Sequence, residues 1–223
     1  MKKFIYEYPT KVYFGEGVVR DHLAEAVSGY GKNVLLAYGG GSVKKNGIYD
    51  EVKSMLEGAG KTVFDFFGIM SNPTYAKVQE GARLAKDHGV DFILAVGGGS
   101  VIDCCKIVAA QGKTGEDLWE MEMEKHQYPA EVIPMGAIVT ASGTGAEMNG
   151  GAVITNDEKK IKTGMAAAAP RFAFLDPEYT RSVPRMQVIS GAFDTLSHAT
   201  ETYFGNSDAD NVSDDVALAI MRN

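Results

Sequence analysis

Short apolar runs and amphipathic segments alternate along the first half of the chain. Each apolar run has the length of a buried strand, and the segments between them repeat apolar residues at helical spacing. The pattern predicts strands over 33–38, 61–66 and 91–96, and helices over about 17–28, 46–58, 74–88 and 100–111. This order is typical of a parallel sheet covered on both faces, so we expect an α/β fold. Either Asn72 or Thr74 is expected to cap the third of these helices.

Two of the predicted strands run into the same four residues, Gly39-Gly40-Gly41-Ser42 in the first case and Gly97-Gly98-Gly99-Ser100 in the second. Consecutive glycines let backbone N–H groups approach a ligand without a Cβ in the way. A helix N-terminus next to such a loop favours negative charge. These two segments, called here the first and second glycine loops, therefore predict a phosphate site. The alternative is that each loop only reverses the chain.

A third loop of small residues follows a later strand. After a turn at 112–115, strands are predicted over 131–134 and 136–140, and the second of them runs into 141–145. The hydroxyl groups of this third loop can donate to phosphate or ribose oxygens. A polar turn that satisfies its own backbone is the alternative.

The end of the chain has a helical pattern. Helices are predicted over 185–204 and 208–221, with Gly205, Asn206 and Ser207 between them as caps. We therefore expect an α/β domain over 1–183 and the beginning of a helical domain over 184–223. The last helix keeps an apolar face that nothing downstream covers, so the sequence is expected to be truncated.

One pair of side chains has the spacing of metal ligands. Asp194 and His198 are four residues apart and project from one face of the predicted helix. A carboxylate and an imidazole suit Fe²⁺ or Zn²⁺, but a catalytic metal needs more than two protein ligands. An exposed, hydrogen-bonded pair is the alternative.

Composition narrows the classes of partner. The net charge of -7 and the absence of a basic block argue against a nucleic-acid surface. No apolar stretch is long enough for a membrane helix, and the N-terminus does not resemble a signal peptide. Cys104 and Cys105 are neighbours in a predicted buried helix, which makes a stabilising disulfide unfavourable. We expect a cytoplasmic protein.

Three motifs together resemble the iron-containing (group III) alcohol dehydrogenase family: Gly97-Gly98-Gly99-Ser100-x-x-Asp103, Thr140-x-x-x-Thr144-Gly145-x-Glu147 and Asp194-x-x-x-His198. The resemblance covers essentially the whole chain. The first glycine loop with Val43-Lys44-Lys45, together with Glu147-Met148-Asn149 and Leu175-Asp176-Pro177, is most similar to the NADP(H)-dependent butanol dehydrogenase and aldehyde reductase branch.

The resemblance implies a dehydroquinate synthase-like architecture, with a dinucleotide-binding domain over 1–183 and the beginning of a helical, metal-binding domain over 184–223. It places the cofactor in the cleft between them, above a divalent metal (Fe²⁺ or Zn²⁺). It places the pyrophosphate on Gly97, Gly98, Gly99 and Ser100, the diphosphate and adenosine side on Thr140 and Thr144, the ribose and nicotinamide region on Asp103 and Asn72, and a ribose hydroxyl on Lys162. Asn149 is also implied in cofactor binding. Asp194 and His198 become the first two metal ligands, and a homodimer is implied.

Cofactor choice can also be argued physically. An acidic side chain after the strand that binds the adenine ribose favours NAD and repels a 2′-phosphate. The first glycine loop, Gly39 to Ser42, has none there, and Lys44 or Lys45 would add positive charge. We therefore expect NADP(H). The resemblance implies hydride transfer between this cofactor and a primary alcohol or aldehyde.

Two alternatives to this enzyme stay open. One is a catalytically inactive nucleotide-binding module, and the other is a glycerol dehydrogenase-like enzyme or a lyase on the same fold. The family adds two further histidine ligands that nothing in this sequence matches. If the molecule ends at Asn223, we expect little or no dehydrogenase activity from it.

Overall fold

The computed structural model describes residues 7–205 and 212–223. Eight strands lie in these ranges: β1 Lys11–Phe14, β2 Asn33–Tyr38, β3 Thr62–Phe66, β4 Phe92–Gly97, β5 Met135–Val139, β6 Gly151–Asn156, β7 Ile161–Ala166 and β8 Phe172–Leu175. The α-helices of the same ranges are α1 Val18–Ser28, α2 Ser42–Lys45, α3 Ile48–Gly58, α4 Tyr75–Asp87, α5 Gly99–Gln111, α6 Pro177–Thr180, α7 Arg185–Tyr203 and α8 Val212–Arg222.

The main sheet of the described chain is parallel, with the strand order β1-β8-β5-β4-β2-β3. Strands β2 and β4 are neighbours, with Tyr38 opposite Val96. The connection after β2 leads to β3 on one side, and the connection after β4 leads to β5 on the other. The gap between β2 and β4 is therefore a topological switch point, where open α/β sheets bind ligands at the carboxyl ends of their strands.

Helices cover both faces of this sheet, as the alternating pattern predicts. On one face α1 and α3 pack through buried residues at helical spacing, for example Ile48, Val52 and Leu56 of α3. On the other face α4 and α5 pack, and α5 is buried along nearly its whole length. Two separate apolar cores thus hold the sheet between them, and the strand ends stay fixed relative to each other.

The predicted strands and helices of the first 111 residues are confirmed, with bounds that differ by one or two residues. Thr74 caps α4: its Oγ1 accepts a hydrogen bond of 3.2 Å from the Lys77 N–H. The fold class is confirmed as α/β. Cys104 and Cys105 are buried and are not joined in a disulfide.

The strand predicted over 131–134 is wrong. The Ile133 N–H donates to Ala109 O of α5 over 3.0 Å, so this segment is bound to a helix, and Pro134 has no N–H to give to a sheet. The sequence also did not predict β6, β7 or β8. Strands β6 and β7 form an antiparallel hairpin outside the main sheet.

Both ends of the chain were predicted in part. Helix α7 is confirmed and ends at Phe204 as its C-cap, so Gly205 does not have that role. Asn206 and Ser207, and the predicted start of the last helix at 208, lie outside the described residues. Near the other end, the chain forms β1 at residues 11–14, and Glu7 and Tyr8 precede this strand without belonging to one. Over the ranges that the structure describes, no helix combines the length and the apolar character needed to cross a bilayer.

Candidate functional site

The two glycine loops lie side by side at the carboxyl edge of the sheet. They follow β2 and β4, the strands that flank the switch point. The third loop follows β5, the next strand along, and is attached to the second glycine loop because the Thr140 N–H donates to Gly97 O over 3.0 Å. Three loops that are distant in sequence thus border one cleft.

This cleft has a volume of about 590 Å³. Its lining includes Gly39 and Ser42 from the first glycine loop, all of 97–100, Thr140, and residues 141–144 of the third loop. Helix α7 closes the remaining side with Gln187, Gly191 and Asp194. We call it the first cleft.

Backbone geometry gives the first glycine loop its shape. Gly41 has φ +116°, a conformation that side chains disfavour, and it directly precedes α2. The carbonyl of Gly39 accepts a 3.2 Å hydrogen bond from the Gly68 N–H, which fixes the loop to the segment after β3. Gly40 has open space around the position of a Cβ.

Lys44 does not line the first cleft, contrary to the expectation that it would add positive charge there. Its ammonium lies 5.1 Å from the ring centre of Tyr38, 4.6 Å from that of Tyr49 and 5.9 Å from that of Phe67. Three aromatic faces stabilise this cation outside the cleft. Lys45 is also absent from the lining residues.

A second cleft, of about 460 Å³, continues from the first. The two share Gly99, Ser100 and Thr144. The second cleft collects the other predicted site residues, which are distant in sequence: Asn72, Asp103, Asn149, Lys162 and His198. A dinucleotide that lay along both clefts would place its pyrophosphate near the shared residues, at the N-terminus of α5.

Side chains in the second cleft are already hydrogen-bonded. The Lys162 Nζ donates to Asn72 Oδ1 over 2.7 Å. Asp103 Oδ2 accepts a 3.0 Å bond from the Val153 N–H. Burial raises the pKa of the Asp103 carboxyl, whereas the bond from Val153 and the nearby Lys106 lower it.

The predicted metal-ligand pair lies where the two clefts meet α7. Asp194 Oδ1 is 3.8 Å from His198 Nε2, and both side chains are exposed, 42% and 59% respectively. Asp194 lines the first cleft and His198 the second. Their nearness and their exposure on one helix face suit two ligands of a shared ion.

Gly191 brings this pair to the cleft. A Cβ at Gly191 would be 2.5 Å from Ser142 O, so only glycine permits α7 to approach the third loop this closely. The Thr195 hydroxyl then donates to Gly143 O over 3.3 Å. Asp194 lies directly over Gly143 as a result.

Two donors are fewer than a tightly bound divalent ion needs. Among residues 7–205 and 212–223, no group of three or more His, Cys, Asp or Glu side chains is placed to hold a metal. The donors that are present suit Fe²⁺ or Zn²⁺ in type, but the described residues supply only part of a coordination shell.

Comparison with known proteins tests the family resemblance of the motifs. Residues 9–177 match the sequence signature of the iron-containing alcohol dehydrogenases. The chain belongs to this family. It is 44% identical over 224 aligned positions to the "Probable NADH-dependent butanol dehydrogenase 1" of Bacillus subtilis, covering all of this chain and 57% of that protein.

Other relatives agree on the family and differ in cofactor. The NADPH-dependent aldehyde reductase YqhD of Escherichia coli is 38% identical over 207 positions, covering 91% of this chain and 52% of that protein. The crystal structure of NADH-dependent butanol dehydrogenase A from Thermotoga maritima superposes with a TM-score of 0.92 at 38% identity, covering all of this chain and 56% of that one. This iron-containing alcohol dehydrogenase chain thus spans little more than half the length of these relatives.

Proposed function

We propose that this chain is the nucleotide-binding part of a metal-dependent oxidoreductase that transfers a hydride between NADP(H) and a primary alcohol or aldehyde. The observation that carries the proposal is the junction of the two clefts. Both glycine loops, the third loop and the Asp194–His198 pair border one continuous space at the switch point of the sheet. Residues 1–183 would bind the nucleotide, and residues 184–223 would contribute metal ligands.

The chain's own residues would bind the cofactor and the metal and orient them. Backbone N–H groups of the second glycine loop would hold the pyrophosphate, and the hydroxyls of Thr140 and Thr144 would donate to phosphate or ribose oxygens. Asp194 and His198 would supply two donors to a divalent metal. When bound, the nicotinamide supplies the hydride and the metal supplies a Lewis acid for the substrate oxygen.

The preference for NADP(H) rests on the first glycine loop. No acidic side chain from this loop lines the first cleft, and Gly39 and Ser42 offer N–H and hydroxyl donors instead. An anionic 2′-phosphate would meet donors there and no carboxylate. The relatives include enzymes named for NADH and enzymes named for NADPH, so their names do not distinguish the two cofactors. The proposal of NADP(H) therefore rests on the first glycine loop.

Titration of the purified chain with NADPH and with NADH tests this function. We expect the wild type to bind NADPH at least about tenfold more tightly, equivalent to ~1.4 kcal/mol. Gly40→Asp should remove that preference, because its side chain enters open space beside the proposed 2′-phosphate. Gly39→Asp is less suitable, since a Cβ there would be 3.2 Å from Ile69 O.

Gly40→Ala is the matched control, because it adds the Cβ without the charge. It should keep the NADPH preference. Equal affinities of the wild type for NADPH and NADH would contradict the cofactor assignment. A chain that binds neither dinucleotide would contradict the proposed function as a whole.

The proposal also includes a cytoplasmic location and a homodimer, and each of these rests on one observation. The cytoplasmic location is supported by two buried cysteines that form no disulfide. The homodimer is supported by β1, which lies at the edge of the sheet and exposes 75% of Phe14.

A further inference from the structure

Lys106 is a buried cation that the proposed chemistry does not use. It lies in the middle of α5, the helix whose N-terminus follows the second glycine loop, and its side chain is 0% exposed. Lysine is almost never fully buried unless it is paired, because removing an ammonium from water is costly. An apolar side chain would pack into α5 without that cost, so the contacts of this ammonium need an explanation.

Those contacts reach the wall of the second cleft. The Lys106 Nζ donates to Gly151 O over 2.6 Å and to Asn149 Oδ1 over 3.0 Å. It also lies 3.7 Å from Asp103 Oδ1. Asn149 and Asp103 both line the second cleft. With the adenine ribose at the first glycine loop and the pyrophosphate at the junction, the nicotinamide would lie in this second cleft.

The bond to Lys106 settles the orientation of the Asn149 amide. Its Oδ1 faces the ammonium and also accepts from the Gly151 N–H over 3.0 Å, so its Nδ2 points the other way and donates to Gly145 O over 3.1 Å. Without the ammonium, one of the two donors that fix Oδ1 is lost. The amide group could then turn more easily.

The same ammonium balances the charge of Asp103. Burial raises the pKa of the Asp103 carboxyl and lowers the pKa of the Lys106 ammonium, and each group opposes the effect of burial on the other. Loss of the cation would leave a partly buried carboxylate whose remaining hydrogen-bond donor among the described residues is the Val153 N–H.

We propose that Lys106 is a positioning residue for the nicotinamide end of the cofactor, acting through Asn149 and Asp103. It connects the phosphate-binding helix to the β6–β7 hairpin, and it fixes which polar atoms of Asn149 and Asp103 face the second cleft. The proposal rests on the proposed function, because it assumes that a nicotinamide dinucleotide occupies the two clefts.

The test compares two ligands that differ only in the nicotinamide. NADPH carries it, and 2′-phospho-ADP-ribose has the same phosphates and riboses without it. Lys106→Met should weaken NADPH binding about tenfold and leave the affinity for 2′-phospho-ADP-ribose unchanged within about twofold. Lys159→Met, which removes an exposed cation at the turn of the same hairpin, is the control and should change neither.

A mutant cycle separates positioning from general damage. In a background that carries both Asp103→Ala and Asn149→Ala, Lys106→Met should weaken NADPH binding by much less than it does alone, since both groups through which it acts are gone. A full, independent effect in that background would overturn the proposal. If Lys106→Met does not fold, Lys106→Gln replaces it, because glutamine keeps a hydrogen-bond donor on a shorter, neutral side chain. Lys106→Gln is likewise expected to weaken NADPH binding and to leave the affinity for 2′-phospho-ADP-ribose unchanged.

The outcomes separate the two proposals. If the wild type binds both ligands and Lys106→Met weakens both equally, the proposed function stands and the positioning role is refuted. Unchanged NADPH binding in a folded Lys106→Met variant also refutes it. If the wild type binds neither ligand, both proposals fall.

Discussion

Gly99→Ala tests whether the junction of the two clefts binds the dinucleotide. Gly99 opens α5 and lines both clefts. A Cβ at this position would be 2.6 Å from Thr144 Oγ1, closer than a real Cβ contact. Thr144 therefore has to move, either by rotating its side chain or by shifting with the third loop.

Each of these movements costs free energy. Rotation would break the 3.3 Å bond from the Ala146 N–H to Thr144 Oγ1, worth about 1 kcal/mol. A shift of the loop would cost about 1–3 kcal/mol as overpacking. Alanine also favours a helix over glycine by up to ~1 kcal/mol, which offsets part of the loss in stability.

We therefore expect folding and binding to respond differently. The free energy of unfolding should change by no more than about 2 kcal/mol, whereas the affinity for NADPH should fall about tenfold because both the loop and a hydroxyl donor are displaced. Isothermal titration calorimetry measures the affinity, and thermal unfolding by circular dichroism measures the stability.

The control is Gly115→Ala, the same change at a position with open space that lies outside both clefts. It should leave NADPH binding unchanged. Unchanged binding in Gly99→Ala, or an equal loss in Gly115→Ala, would refute the assignment of the pyrophosphate to this junction.

Two further predictions concern stability. Gly81→Ala should destabilise the protein by about 1–2 kcal/mol and lower its melting temperature, because a Cβ there would be 2.7 Å from Phe66 Cζ and 2.8 Å from Val108 Cγ2; an unchanged or higher melting temperature would contradict this packing. Glu122 is buried, accepts one bond from the Ala166 N–H, has no hydrogen-bond partner for Oε1 among the described residues, and has a pKa raised by burial. The protonated form of Glu122 stabilises the folded state at pH values below the pKa of this side chain in the unfolded protein, and that contribution is lost as the pH rises through its pKa in the folded protein. Glu122→Gln should therefore stabilise the protein by roughly 1 kcal/mol at pH 7 and by less near pH 4, as measured by urea titration. An equal gain at both pH values would show that ionisation is not the cause.

Periodicity predicted the part of the fold that local sequence determines. Strands β2 and β4 are nearly continuous apolar runs, and helices such as α3 and α4 repeat their buried residues at helical spacing, so each of these elements is specified by its own residues. Because β2 and β4 are adjacent in the sheet, the glycine loops that follow them also lie side by side. The motif spacing likewise predicted that Asp194 and His198 share a helix face.

Contacts between distant segments explain what the sequence did not predict. The hairpin β6–β7 pairs with itself and packs on α5, and burial along β6 does not follow hydropathy, since Val153 is exposed and Asn156 is buried. The position of Lys44 depends on three aromatic rings from different elements, and that of Lys106 on a hairpin more than forty residues further on. In sequence, Lys106 is an ordinary lysine in an apolar helix. Only the fold shows that its ammonium is enclosed.

The placement of these cations limits how the first cleft can bind phosphate. Among the described residues that line it, Asp194 is the one charged side chain, and no Lys or Arg is present. The attraction for a phosphate must then come from backbone N–H groups and the dipole of α5, whose positions the strands β2 and β4 fix. Because backbone donors depend on loop shape, small changes at glycines should affect binding more than changes of surface charge. Lys162 lines the second cleft and bonds to Asn72, and Lys106 is buried behind its wall and bonds to Asn149. Both lysines therefore contact polar groups that would face the nicotinamide.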